Sequence, residues 1–287
     1  MTRLIGMGLV AISAVGFGTF AILGRYAYAD GLDAPTILFL RFSLAALAMT
    51  PVLLLRRPAR PPAAAVWRLV GMGAIGYVGQ ALAYLTALQY ASSGLVALLL
   101  YLYPIFVAVL SAVVLHQKIS RPTALALALA VLGLALTVGP AGGQLAGILL
   151  AIAAALIYSV YILVGTQVLR QVSPLLASTV IFGSAGAVSG LLMLAGGPHW
   201  PGSSAGWATM AVIIVIATIV PVVTFLAGLE RIGPTNAALL STLEPAVTVV
   251  LAALLLGETL KPLSLAGGAL ILMAVALLTR HALSGQG

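Results

Sequence analysis

The sequence has no cysteine, which excludes a disulfide framework, a thiolate metal site and a cysteine nucleophile. Charge is nearly as scarce: 6% of residues are Asp, Glu, Lys or Arg, against roughly a quarter in a soluble domain. So few charges cannot coat a water-facing surface, so a soluble globular protein is excluded. Acids are the rarer sign, five against thirteen basic residues. The resulting +8 is not a nucleic-acid footprint, because Arg56, Arg57, Arg60 and Arg68 sit between apolar runs, where positive loops orient spanning helices. The three histidines, His116, His199 and His281, fall at or beyond helix ends and share no ligand spacing. No Ser, His and Asp grouping converges as a hydrolytic centre requires. No catalytic residue, metal or cofactor is expected, and a membrane enzyme is the weakest of the open readings.

What is present is apolar. Hydrophobic residues make up 62% of the chain and mean hydropathy is +1.21. The fold class expected is an all-α integral membrane protein, with a spanning helix needing about 20 apolar residues. Pro-, Gly- and Ser-rich breaks divide the chain into ten runs: 4–26, 34–55, 66–89, 94–115, 122–139, 145–169, 174–196, 207–229, 235–256 and 263–280. The first run resembles a signal peptide before Ala27-Tyr28-Ala29. Leu4 to Leu23 exceeds the roughly 7–15 residues of a signal's apolar region, and Arg25 intrudes, so it reads as a spanning helix. With the N-terminus inside, ten Lys or Arg fall on the inner side and two, Arg25 and Lys261, on the outer, while Arg41 lies within the second span. That bias predicts cytoplasmic N- and C-termini.

Two stretches read nearly alike. Ala97–Leu115 and Ala238–Leu256 match at nine of nineteen positions, and Pro104 aligns with Pro245. The second lies five runs after the first, in the ninth run against the fourth, and an odd number of crossings reverses direction. The expected architecture is ten transmembrane helices in a five-plus-five inverted repeat, with repeats over 1–141 and 142–287, a design that usually moves solutes.

Several side chains stand out against the apolar background. Gly71-Met72-Gly73-Ala74-Ile75-Gly76 fits a dinucleotide fingerprint, but no strand or ribose-binding acid accompanies it. Its glycines, like Gly186 and Gly190, read instead as close helix contacts. Arg41 and Glu244 lie inside spans, where each charge costs at least about 2.5–3.5 kcal/mol. Arg41 is either a helix anchor paired to a carbonyl or a substrate contact. Glu244, beside Pro245, either lines a pathway or pairs with a neighbouring helix end. Glu230 and Glu258 sit at loop edges, with solvation or helix capping as the default. Tyr77, Gln80 and Tyr84 share one helical face, as do Tyr158 and Tyr161, and Tyr101 and Tyr103 precede Pro104. Most of these lie too deep for an interfacial belt, leaving a polar cavity or interhelical hydrogen bonding.

Leu243-Glu244-Pro245-Ala246-Val247, then Leu256-Gly257-Glu258-Thr259-Leu260 and Gly267-Gly268-Ala269-Leu270-Ile271, resemble the EamA family of the drug/metabolite transporter superfamily. Phe17-Gly18 and Pro35 to Arg41-Phe42 resemble its opening signature. The chain departs from the pattern where His116-Gln117 replaces the first repeat's Gly-Glu. The resemblance, in particular to YddG-type amino-acid exporters, implies ten helices, alternating access and export of small metabolites or amphipathic drugs across the bacterial inner membrane. The expected substrate contacts are Tyr77, Gln80, Tyr84, Tyr101, Tyr158, Tyr161, Ser241 and Glu244. Pro104 and Pro245 are expected to mark gating breaks, and Arg41 a further charge role. The expected partners are a small neutral or amphipathic solute and the lipid bilayer, with no nucleic acid. Open alternatives are a passive channel, a membrane scaffold, or a carrier in the same superfamily for another metabolite class. Glycine faces pack helices within or between chains, so oligomeric state stays open.

Overall fold

A computed structural model describes residues 2–56, 58, 61–114, 121–138, 144–169, 171–241, 243–258 and 262–284. Among these residues all regular structure is helical. The first half contains α1 (Thr2–Gly18), α2 (Phe20–Ala29), α3 (Ala34–Arg56), α4 (Ala63–Gly71), a π-helical turn over Met72–Tyr77, and α5 (Val78–Tyr90). It continues with α6 (Ser93–Leu100), α7 (Tyr103–Val114) and α8 (Arg121–Val138). The second half contains α9 (Leu145–Val168), α10 (Pro174–Gly196), α11 (Ser204–Ile214) and a second π-helical turn over Val215–Ile219. It ends with α12 (Val220–Ser241), α13 (Leu243–Leu256) and α14 (Pro262–Ser284). His116, Gln117 and the loop cations Arg57, Arg60, Lys118, Arg170 and Lys261 lie outside the described residues.

Local chemistry starts and stops these helices. Ser92, Ser173 and Ser203 each accept a hydrogen bond from a backbone N–H in the first turn that follows, as N-caps do. Asp33 accepts likewise from the Thr36 N–H at 2.9 Å. Among the described residues, six helical runs are long and apolar enough to cross a bilayer: Leu4–Ala29, Ala34–Arg56, Ala63–Tyr90, Leu145–Gly165, Pro174–Gly196 and Ser204–Ile232. Shorter apolar helices cover Ser93–Val107, Ala246–Leu256 and Leu265–Ala274. Outward faces carry Leu47, Leu54, Leu191, Leu194 and Leu254, all exposed, as lipid-facing surfaces require. Trp67, Trp200 and Trp207 are exposed near the ends of their runs, where indole rings sit at a membrane–water boundary.

The expected runs differ from the described helices in five places, the first being an interruption of the first run at Thr19. The fourth run is broken at Tyr101–Leu102, and the third and eighth each contain a π-helical turn. The break expected at Glu230–Pro234 does not interrupt helical hydrogen bonding, which continues through α12. The chain nevertheless turns back. The Ser13 hydroxyl donates to the Pro221 carbonyl at 2.8 Å, and the Thr248 hydroxyl donates to the Gly18 carbonyl at 2.9 Å. Positions 221 and 248 would lie about 40 Å apart on one straight helix, while residues 13 and 18 are separated by only about 7.5 Å.

The principal helix pairs are α1 with α12, α5 with α9, α3 with α10, and α8 with α14. Each pair joins one half of the chain to the other, so the halves share one interior. Glycines set the spacing of these seams. A methyl at Gly73 would overlap Ser184 Oγ and the Ile181 carbonyl, and one at Gly186 would lie 2.7 Å from Ser43 Oγ. Gly73 and Gly186 therefore make the close helix contacts expected of them, rather than a nucleotide loop.

Candidate functional site

The helix break of the first duplicated segment meets the corresponding stretch of the second, around Ser241 and Glu244, inside the bundle. Tyr101 sits at the break between α6 and α7, and its hydroxyl donates to the Ser241 carbonyl and, at 3.1 Å, to Glu244 Oε2. Pro104 is the second residue of α7 and Pro245 the third of α13. Pro104 follows the break at Tyr101–Leu102 and kinks no continuous helix. It stands in a first turn, where a missing N–H costs nothing because that donor has no intrahelical acceptor.

This meeting point borders a cavity of about 50 Å³, room for a few waters, lined by Tyr77, Gln80, Tyr84, Tyr158 and Glu244 together with Arg41. Phe17, Phe20, Leu100 and Tyr103 complete the wall. The other three expected contacts stand one layer behind. Tyr101 is 1% exposed, Ser241 presents its carbonyl to Tyr101, and Tyr161 packs between Tyr77 and Tyr158 at ring separations of 5.7 and 5.8 Å. Tyr103 bridges Tyr101 and Tyr158 edge-on at 5.4 and 4.9 Å. Five tyrosines thus form a continuous aromatic file, through two edge-to-face contacts, one stacked and one tilted.

Arg41 is 2% exposed and does not snorkel to the surface. Its Nε donates to Thr218 Oγ1 at 2.6 Å, and its Nη2 donates to the Tyr77 hydroxyl at 3.1 Å and the Ala217 carbonyl at 3.2 Å. The guanidinium carbon also lies 4.1 Å from the Phe20 ring centre, a cation–π contact. Both π-helical turns serve this cation. Tyr77 closes the first, and Ala217 and Thr218 belong to the second. Thr218 Oγ1 donates in turn to the Ile213 carbonyl five residues back, a spacing that π-helical widening makes accessible. Among the described residues no carboxylate lies within 4.0 Å of Arg41. Arg41 is thus both a carbonyl-paired anchor and a cavity wall.

One end of the bundle is tied by polar contacts. Glu258 accepts from the N–H groups of Ser93 and Gly94 at 3.1 and 3.3 Å, so it caps α6 from the other half of the chain. Arg25 lies 3.8 Å from Glu258 and donates to the Ala91 carbonyl at 2.6 Å. Beside them Ser203 donates to Asp30, and His199 lies 3.3 Å from Asp33. Glu258 is therefore a cap, as its loop-edge position implied, while Glu230 is exposed next to Arg231.

Sequence reasoning did not find Phe17, Phe20 and Leu100 as lining residues, because an apolar residue in an apolar run carries no mark. Tyr103 had a usable signal: it aligns with Glu244 in the repeat, and both reach the same cavity. Thr218 had none, since nothing in Val215–Ile219 announces a π-helical turn.

Comparison with known proteins agrees with this geometry. A model of the EamA-like transporter family matches twice, over residues 4–139 and 145–280, so the chain contains two copies of one unit. An uncharacterized transporter of Archaeoglobus fulgidus is 29% identical over 96% of this chain and 97% of its own. The uncharacterized transporter YcbK of Bacillus subtilis is 27% identical over 89% of this chain and 86% of its own. A crystal structure 22% identical in sequence has the same fold, with a TM-score of 0.69 over 97% of this chain and 98% of that one. Matched in two copies over nearly the whole chain, and with full-length relatives named as transporters, the protein is a membrane transporter, and this chain belongs to the EamA-like transporter family.

Proposed function

We propose that the chain is a secondary transporter of the bacterial inner membrane that exports small neutral or amphipathic metabolites by alternating access. Amino acids, aromatic or otherwise neutral, are the preferred cargo, and amphipathic drugs the secondary one. The observation that carries this reading is the cavity between the two copies, with one cation, one carboxylate, an amide and tyrosine hydroxyls in otherwise apolar surroundings. A site for phosphate or dicarboxylate cargo would require several cations at depth, and Arg41 is the one that lines this cavity.

The proposed topology is ten crossings in a five-plus-five inverted repeat with both termini cytoplasmic. Three observations support it. The π-helical turns at Met72–Tyr77 and Val215–Ile219 fall at corresponding places in the two copies. The pairing of α1 with α12 is matched by that of α9 with α5 when the copies are exchanged. Asp30, Tyr90–Ser93, Gln144, Ser203 and Glu258 are linked in two groups of backbone and side-chain contacts at connections that this topology puts outside. The repeat boundary near 141 is part of the same proposal.

The test is counterflow in proteoliposomes. Vesicles preloaded with unlabelled phenylalanine are expected to accumulate labelled phenylalanine transiently, and Glu244→Gln is expected to reduce the initial rate at least about tenfold, the effect of losing one charged contact to the cargo. Downhill leak without counterflow would identify a channel. No flux of any neutral amino acid or amphipathic amine would overturn the reading.

A further inference from the structure

We propose that Arg41 and Glu244 are the two poles of a site for a zwitterion, Arg41 receiving its carboxylate and Glu244 its ammonium group. This rests on the transporter reading above and states what its cavity recognises. Both side chains line the same cavity, yet they are more than 4.0 Å from each other and neither is paired with any other charge among the described residues. Two opposite charges in an apolar interior would pair directly if the fold were only neutralising them. Here each is held apart by its own neutral partners.

Arg41 is tethered through Nε and Nη2, while its Nη1 donates to no acceptor among the described residues. The guanidinium is therefore fixed in position with one nitrogen still free to donate. A carboxylate is the acceptor that such a planar donor matches best. Glu244 mirrors this state. Its Oε2 accepts from Tyr101 at 3.1 Å, leaving hydrogen-bonding capacity toward the cavity. A ligand with one charge satisfies one pole and leaves the other buried and unpaired, whereas a zwitterion satisfies both. Phe20 and the tyrosine file supply an apolar and aromatic wall for its body.

The experiment reads binding separately from transport, by ligand-dependent thermal stabilisation of the purified protein in detergent. The probes are phenylalanine, phenylalaninamide with the carboxylate masked, and N-acetylphenylalanine with the ammonium masked. Phenylalanine is expected to bind at least about tenfold more tightly than either masked compound, since each mask strands one charge. Arg41→Gln is expected to erase the gap to the amide and keep the gap to the acetyl compound, and Glu244→Gln the reverse. If Arg41→Gln does not fold, the wild-type panel and Arg41→Lys, with the amide gap retained, decide the matter. Equal affinity for phenylalanine and its amide, or for phenylalanine and its acetyl derivative, overturns the two-pole site. Counterflow of phenethylamine in that case leaves the transporter reading standing. Binding selective for the zwitterion without any counterflow upholds the site and overturns the transporter.

Discussion

A guanidinium in an apolar interior is tolerated only where neutral acceptors replace its water. Thr218 supplies the shortest of Arg41's hydrogen bonds, at 2.6 Å, and is itself fully buried. Thr218→Val keeps the shape of the side chain and removes the acceptor. The expected loss of stability is about 1.5–3 kcal/mol, the range for hydrogen bonds to charged groups, while Thr218→Ser retains most of the wild-type value. Equilibrium unfolding in mixed detergent measures both. Glycine positions offer a second contrast at this scale. Gly73→Ala drives a methyl into Ser184 Oγ and the Ile181 carbonyl on α10, and is expected to destabilise by about 1–3 kcal/mol. Gly8→Ala, with nothing within 4 Å of the added methyl, is expected to be neutral or to stabilise by up to about 1 kcal/mol through reduced chain entropy. The same unfolding assay compares the pair, and equal effects would contradict the helix seam described at Gly73.

At the scale of elements, the Gly257-Glu258 pair shows how a short motif connects the two copies. Gly257 has φ of 64°, a left-handed conformation that ends α13 and is cheap only for glycine. That turn brings the Glu258 N–H to the Ala252 carbonyl at 3.1 Å and places its carboxylate on the first N–H groups of α6. A negative charge there also complements the helix dipole. Glu258→Gln is expected to cost about 1 kcal/mol and to speed amide hydrogen exchange at Ser93 and Gly94, measured by mass spectrometry of peptides covering 91–100. Unchanged exchange would show that α6 is capped by other means. The first copy has His116-Gln117 in place of this pair, so the cap on α6 has no equivalent motif in the other half. The π-helical turns are likewise elements with a purpose: one presents Tyr77 and the other Thr218 and Ala217 to a single cation.

At the scale of the whole molecule, alternating access requires one end of the bundle to open while the other closes. Contacts of Asp30 with Ser203 and of Arg25 with Glu258 hold one end together across the two copies. Because the chain has no cysteine, a disulfide placed there has no background. The double variant Asp30→Cys with Ser203→Cys is expected to transport when reduced, to lose at least about nine-tenths of its counterflow rate on oxidation, and to recover with reductant; proteoliposome assays before and after oxidation check it. A crosslinked protein that transports normally would show that this end does not open in the cycle.

How much was legible in the sequence follows from what each signal depends on. Membrane insertion, the helical class and the duplication follow from composition and spacing, because an apolar solvent forces every backbone group into intrahelical hydrogen bonds. Glu244, Arg41 and the deep tyrosines were legible for a related reason: polar groups in an apolar run are costly, so each one marks a place where the fold provides partners. Their partners were not legible. Phe17, Phe20 and Leu100 belong to the same apolar alphabet as the lipid-facing leucines, and only packing separates the two. The π-helical turns, the helical bonding carried through the reversal in α12, and the meeting of Tyr101 with Ser241 and Glu244 all depend on contacts between segments more than a hundred residues apart or on small changes in backbone winding. Sequence by itself determined that this chain lies in a membrane as two related halves with a few polar residues at depth. Tertiary structure alone decided that those residues share one cavity and that its two charges stand apart, because the separation of side chains on different helices is set by packing and not by their order along the chain.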